Sequence, residues 1–123
     1  MVAEISLRIA GGPDAPSDAR RALRRFHPEL TPELIQTATL LTSELVSNAV
    51  RHGRAEAIAF HCQLTLSYVR IEVADEGPAF QPEPPPPEPD RTYGWGLFLV
   101  DQLADRWGVA DTRTTKVWFE IDR

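Results

Sequence analysis

Only one cysteine, Cys62, stands among the 123 residues. A single thiol cannot close an intrachain disulfide, so nothing covalent staples the fold, and the composition suits a reducing, cytoplasmic setting. Basic residues are in the minority too: 13 Lys and Arg against 18 Asp and Glu give a formal net charge of −5. Direct nucleic-acid binding needs a basic face that displaces counterions from phosphates, and this balance argues against it. Long apolar runs are missing, and none approaches the ~20 residues a membrane-spanning helix requires. The opening MVAEISLRIA has neither a basic n-region nor a long apolar h-region, so it does not read as a signal peptide. His27, His52, His61 and Cys62 show no zinc spacing. No G-x-x-x-x-G-K-[ST] loop occurs, which sets a P-loop enzyme aside. The 42% hydrophobic content is enough for one compact domain over 1–123, with a core of its own.

The chain does offer an ordered series of elements. Val2 to Ala10 alternates apolar and polar residues, as a half-buried strand does, and Gly11-Gly12-Pro13 ends it. A short basic helix is expected over about Ser17 to Phe26. Its arginines (Arg20, Arg21, Arg24, Arg25) read as a solvated face, with an acidic partner as the alternative. Thr31 is an N-cap, Pro32 suits the first helical position and Glu33 favours the positive end of the dipole; that helix runs to about Arg51, with Gly53 as its stop. Strands follow over Ala57 to Leu64 and Ser67 to Ala74, turning near Thr65 to Ser67. Asp75 to Thr92 is a loop holding seven of the eleven prolines. Gly96 to about Arg106 reads as a helix with Leu97, Val100, Leu103 and Ala104 inward, and Trp107 to Ala110 and Lys116 to Ile121 read as closing strands. Paired strands and interspersed helices predict an α+β fold, a two-layer sandwich whose mixed, mostly antiparallel sheet carries helices on one face.

Three features carry chemistry. On the long helix, Leu34, Ala38, Leu41, Leu45 and Ala49 make the apolar stripe, while Glu44, Asn48 and His52 recur every four residues along its edge. A carboxylate and an amide beside a core are costly without partners. Asn48 has a hard carbonyl oxygen suited to Mg²⁺, and Glu44, one turn earlier, is placed to take a proton during phosphoryl transfer. On this helix alone a solvated edge is the simpler reading. Next, Asp75 ends a strand and Glu76-Gly77 follows. Such a carboxylate can accept from the exocyclic amine of adenine, and Gly77 admits the base, although D-x-G is also an everyday turn. Last, Tyr93-Gly94-Trp95-Gly96-Leu97 opens a helix after the loop, where backbone N–H groups can point at phosphate oxygens. A G-x-G by itself says little.

In sequence, E-x-x-x-N on a helix, D-x-G after a strand and G-x-G before a helix strongly resemble the GHKL ATPase superfamily. LLTSELVSNAVRHG, VADEGPAF, GWGLFLVDQLADRWGV and KVWFEI look like its anti-sigma-factor serine kinase branch, over about Leu7 to Ile121. The resemblance implies a Bergerat ATP-binding fold with a lid at about 78–93. It implies Glu44 as the catalytic base, Asn48 as the Mg²⁺ ligand, and Asp75 and Gly77 at adenine. Gly94, Trp95, Gly96 and Leu97 belong with the phosphates, His52 braces the site, and Ala79 and Thr115 border the nucleotide. Ala79 stands where the family usually has a second glycine, and Lys116 takes the slot of a threonine on the last strand. The branch further implies ATP and Mg²⁺ as cofactors, a homodimer, a sigma factor and a STAS-domain antagonist as partners, and serine phosphorylation of that antagonist. A non-catalytic, ATP-sensing regulatory module of the same fold is the alternative.

Overall fold

The structure, a computed structural model, describes residues 2–53, 56–75, 95–111 and 115–123; at 27, 28, 52, 53, 95, 96, 111 and 115 it describes the backbone alone. The elements are β1 (Ala3–Ala10), α1 (Ala15–Leu23), a 3₁₀ helix (Arg24–Glu29), α2 (Pro32–Gly53), β2 (Ala57–Leu64), β3 (Tyr68–Asp75), α3 (Trp95–Leu103), β4 (Arg106–Asp111) and β5 (Thr115–Asp122). The strands form one sheet in the order β1-β2-β3-β5-β4, every neighbouring pair antiparallel. The chain thus has the α+β architecture expected of it.

Local chemistry explains most boundaries. Thr31 Oγ1 accepts the backbone N–H of Leu34 at 3.2 Å, which caps α2 where expected. At the β2–β3 turn, Thr65 Oγ1 accepts from the N–H groups of Ser67 and Tyr68, and the Thr65 N–H reaches the Tyr68 carbonyl at 2.9 Å. The first helix differs from its expected span: it starts at Ala15 and yields to 3₁₀ geometry at Arg24. Pro28 has no N–H to continue an α-helix and disfavours α geometry at the residue before it. The last helix is shorter than the periodicity predicts, ending at Leu103, which is 44% exposed instead of inward. Its continuation is captured by β5, since the Asp105 N–H donates to the Glu120 carbonyl at 2.9 Å and Arg106 opens β4.

One face of the sheet is the core. Ile58, Phe60, Cys62 and Leu64 of β2, Val69, Ile71 and Val73 of β3 and Val117, Phe119 and Ile121 of β5 alternate onto it. α2 lies against β2, β3 and β5, with α1 and α3 packed beside it. Ala15, Ala19 and Ala22 are buried, small residues that allow α1 close approach. Burial also pushes the Cys62 thiol up to about 12, so it stays protonated.

The other face holds an ionic ladder across all five strands. Arg70 bonds Glu72 and Glu120, both at 2.9 Å; Arg106 bonds Glu120 at 2.6 Å and Asp122 at 2.5 Å. Lys116 lies 3.7 Å from Glu72, and His61 sits between Glu4 (2.5 Å) and Glu72 (3.4 Å). Partial burial works to raise the Glu72 and Glu120 pKa values. Hydrogen bonds from Arg70 to both, with His61 also bonding Glu72 and Arg106 bonding Glu120, outweigh it and hold both carboxyls below the usual range. A carboxyl depressed in the folded state stabilises above its unfolded pKa and loses that contribution as pH falls through the folded value. Acid is therefore expected to weaken the fold progressively below about pH 4.3. Urea midpoints measured against pH should fall less steeply in Arg70→Met, and an identical acid limb would contradict the assignment.

The Arg70 guanidinium also stacks on Trp118, 4.2 Å from the ring centroid, and the indole lies flat over Gly108 of β4. A Cβ at Gly108 would meet indole Nε1 at 2.8 Å and Cε2 at 2.9 Å. Gly108→Ala must displace a ring pinned by Arg70, at an expected cost of about 1 to 3 kcal/mol in urea unfolding. An unchanged midpoint would show that the indole moves freely.

Candidate functional site

α2 positions the first group of site residues because its apolar stripe is well specified. Ala38, Leu41, Leu45 and Ala49 are buried, and this fixes the helix rotation. Glu44 and Asn48 then fall where the 3.6-residue period puts them, partly buried at the edge of the stripe. Asn48 Oδ1 is fully buried and finds no hydrogen-bond partner among the described residues. An amide oxygen withdrawn from water without a partner costs about 1 to 3 kcal/mol, so such atoms call for an explanation. Glu44 makes no hydrogen bond or ion pair with a described residue.

β3 positions the second. Asp75 is its last residue, opposite Ile58 of β2, and only 2% exposed, the one carboxylate buried to that degree among the described residues. α3 positions the third. Trp95 and Gly96 form its start and Leu97 is buried in its first turn, so this stretch is helix from Trp95 onward. His52 lies in the last turn of α2 and Thr115 opens β5, both described by backbone alone. Gly77, Ala79, Gly94 and the expected lid at 78–93 lie outside the described residues. The fold thus places α2 against β3 and α3, the three elements that carry Glu44, Asn48, Asp75 and Leu97.

Two features escaped the sequence reading. Thr42 is fully buried on α2, and its Oγ1 has no partner among the described residues. Its position one turn from Ala38 and from Val46 was the available signal, masked because threonine also suits exposed helix positions. Arg20 is not simply solvated. It donates to Ser43 Oγ at 3.1 Å, and Ser43 in turn donates to the Thr39 carbonyl at 2.9 Å, tying α1 to α2 beside Glu44. Arg21, Arg24 and Arg25 are exposed, as the solvated-face reading expects.

As a chemical set, a buried carboxylate, an unsatisfied amide oxygen and a half-buried glutamate suit an amine-bearing base, a hard cation and a proton, respectively. Among the described residues no helix is long and apolar enough to cross a membrane. Comparison with known proteins gives the family. No curated protein matches the chain. A solved structure of the RsbU and RsbW domains of Rv1364c from Mycobacterium tuberculosis is similar, with a TM-score of 0.74 and 21% identity over 97% of this chain. The chain corresponds to 31% of that longer one, and at this identity the likeness is one of fold. The family model for the histidine kinase-like ATPase domain matches residues 10–121, nearly the whole chain. The chain belongs to the histidine kinase-like ATPase domain family.

Proposed function

We propose that the chain is a cytoplasmic, ATP-dependent anti-sigma factor and serine kinase of a partner-switching system. It acts on a STAS-domain antagonist, sequesters a sigma factor and works as a homodimer. Family membership supports ATP as the ligand. The observation that carries the Mg-nucleotide site is the unsatisfied, buried Oδ1 of Asn48, one turn from Glu44 on a helix packed against the strand that Asp75 ends. The partners rest on the resemblance to the anti-sigma-factor kinase branch.

In this reading Asp75 accepts a hydrogen bond from the adenine amine, and Gly77 and Ala79 border the base. Asn48 Oδ1 fits Mg²⁺, a hard ion that takes few protein ligands beside phosphate oxygens. Bound there, the ion would supply charge neutralisation at the phosphates. The backbone from Gly94 through Trp95, Gly96 and Leu97 cradles the phosphates at the start of α3, with His52 and Thr115 at the margins of the site. Glu44 takes the proton of the substrate serine hydroxyl as its oxygen bonds the γ-phosphorus. The bond from that phosphorus to the bridging oxygen breaks, and ADP leaves.

Ala79, where the family usually has glycine, favours the second reading, a module that binds ATP and its partner without turnover. Incubation with labelled ATP and a candidate STAS-domain protein separates the two. Label on a serine of that protein supports the kinase; ATP-dependent binding without label supports the regulatory module.

A further inference from the structure

α2 turns one side to solvent, and the helical period puts Glu33, Gln36, Leu40, Ser47 and Arg51 along it, with Glu44 at its margin. Leu40 is the only apolar residue in that set, and it is 43% exposed. The helix does not require it, since glutamine or lysine would serve its backbone as well. Its place is specific, however. Leu40 precedes Glu44 by one turn, as Glu44 precedes Asn48, so the three mark a line about 12 Å long from an apolar surface to the proposed metal ligand.

α3 faces this stretch with apolar side chains of its own. α2 ends just before β2 opens beside Asp75, whereas α3 ends just before β4 opens at the opposite end of the sheet. The two packed helices therefore run antiparallel, and the end of α3 lies along the N-terminal half of α2, where Leu40 sits. Asp101 turns toward β4, accepting from Trp107 Nε1 at 2.9 Å. Leu99 and Leu103, about 160° to 200° round the helix from it, fall on the flank toward α2. Leu99 is half-buried and Leu103 is 44% exposed.

We infer that Leu40, with Leu103 across the seam, forms the shelf on which the protein substrate seats an apolar side chain beside the serine to be phosphorylated. The inference rests on the kinase reading above and names what that site selects. With the serine oxygen at Glu44, the phosphates take the Asn48 side, and the neighbouring substrate residues pass over the other side, which is Leu40. An extended chain advances about 3.3 Å per residue and a helical turn about 5.4 Å, so the side chain over Leu40 is one or two positions from the serine. Apolar area buried on the leucine favours an aliphatic neighbour over a charged one, which would lose water and gain no partner.

Transfer of labelled phosphate to a STAS-domain protein, followed against the concentration of that protein, tests it. Leu40→Ala should raise KM for the protein substrate about fivefold to twentyfold, while kcat and Mg-ATP affinity stay near the parent's. Leu40→Met should recover most of the loss. Leu66→Ala, which truncates a leucine 74% exposed at the β2–β3 turn, far along the sheet from Asp75, should change nothing. On the substrate, alanine in place of the apolar residue within two positions of the labelled serine should raise KM with the parent and add little with Leu40→Ala. An unchanged KM in Leu40→Ala, a loss confined to kcat, an equal loss in Leu66→Ala, additive effects across the two proteins, or a labelled serine with no apolar neighbour overturns the inference and leaves the kinase reading standing. A parent that binds Mg-ATP but labels none of the STAS-domain proteins offered overturns the kinase reading and this inference with it.

Discussion

Glu44→Ala is expected to slow phosphate transfer to the STAS protein by about 10²- to 10⁴-fold, the contribution of a positioned general base. Nucleotide affinity should stay near that of the parent, because in this account Glu44 meets the attacking hydroxyl and not the nucleotide. The fold should be affected little. Glu44 is partly buried at the margin of α2 and has no ion pair with a described residue, so its loss leaves no partner stranded. Glu44→Gln should be as slow as the alanine variant, since an amide keeps the shape but takes up no proton. Single-turnover transfer with bound, labelled ATP reads this directly. A glutamine variant with parental rate would reduce Glu44 to a packing residue.

Asn48→Leu should move affinity and stability in opposite directions. The buried Oδ1 has no protein partner among the described residues, so the ligand-free fold carries its desolvation cost. Replacing it with an apolar side chain of similar size should raise the ligand-free stability by up to about 1 kcal/mol. The same change removes the proposed Mg²⁺ ligand and should weaken Mg-ATP binding about tenfold or more, as loss of a contact to a charged group does. Thermal unfolding with and without Mg-ATP measures both. The parent should gain stability from the nucleotide and the variant gain little. A variant less stable than the parent without ligand would mean that Asn48 serves the fold itself.

The reach of the sequence followed the range of the interactions. α2 and β2 were legible because their causes are local: Thr31 caps, Pro32 starts, and the apolar period picks the buried face. The ends of α1 and α3 were not. At Arg24 the approach of Pro28 tips the balance to 3₁₀ geometry, and beyond Leu103 a strand distant in sequence claims Asp105 through the Glu120 carbonyl. The insertion of β5 between β3 and β4 is likewise long-range and left no local trace.

The site was legible to a similar depth. Asn48 and Asp75 stood out as polar groups beside apolar ones, and the structure finds one with a buried, unsatisfied oxygen and the other almost wholly buried. Thr42 was overlooked because a hydroxyl within an apolar stripe resembles a tolerated surface threonine until its burial is known. The Arg20–Ser43 link depends on how α1 crosses α2, which composition does not encode.

The central claim is that this fold holds ATP through Asp75 and, with Mg²⁺, through Asn48. Isothermal titration of ATP into the parent chain and into Asp75→Asn, each with Mg²⁺ and with chelator, tests it most directly. The account predicts saturable, Mg²⁺-dependent binding to the parent and at least about tenfold weaker binding to Asp75→Asn, because the amide loses the carboxylate's charge and puts a donor in place of one of its two acceptor oxygens. Absence of binding to the parent, or equal affinity in the two proteins, would contradict it.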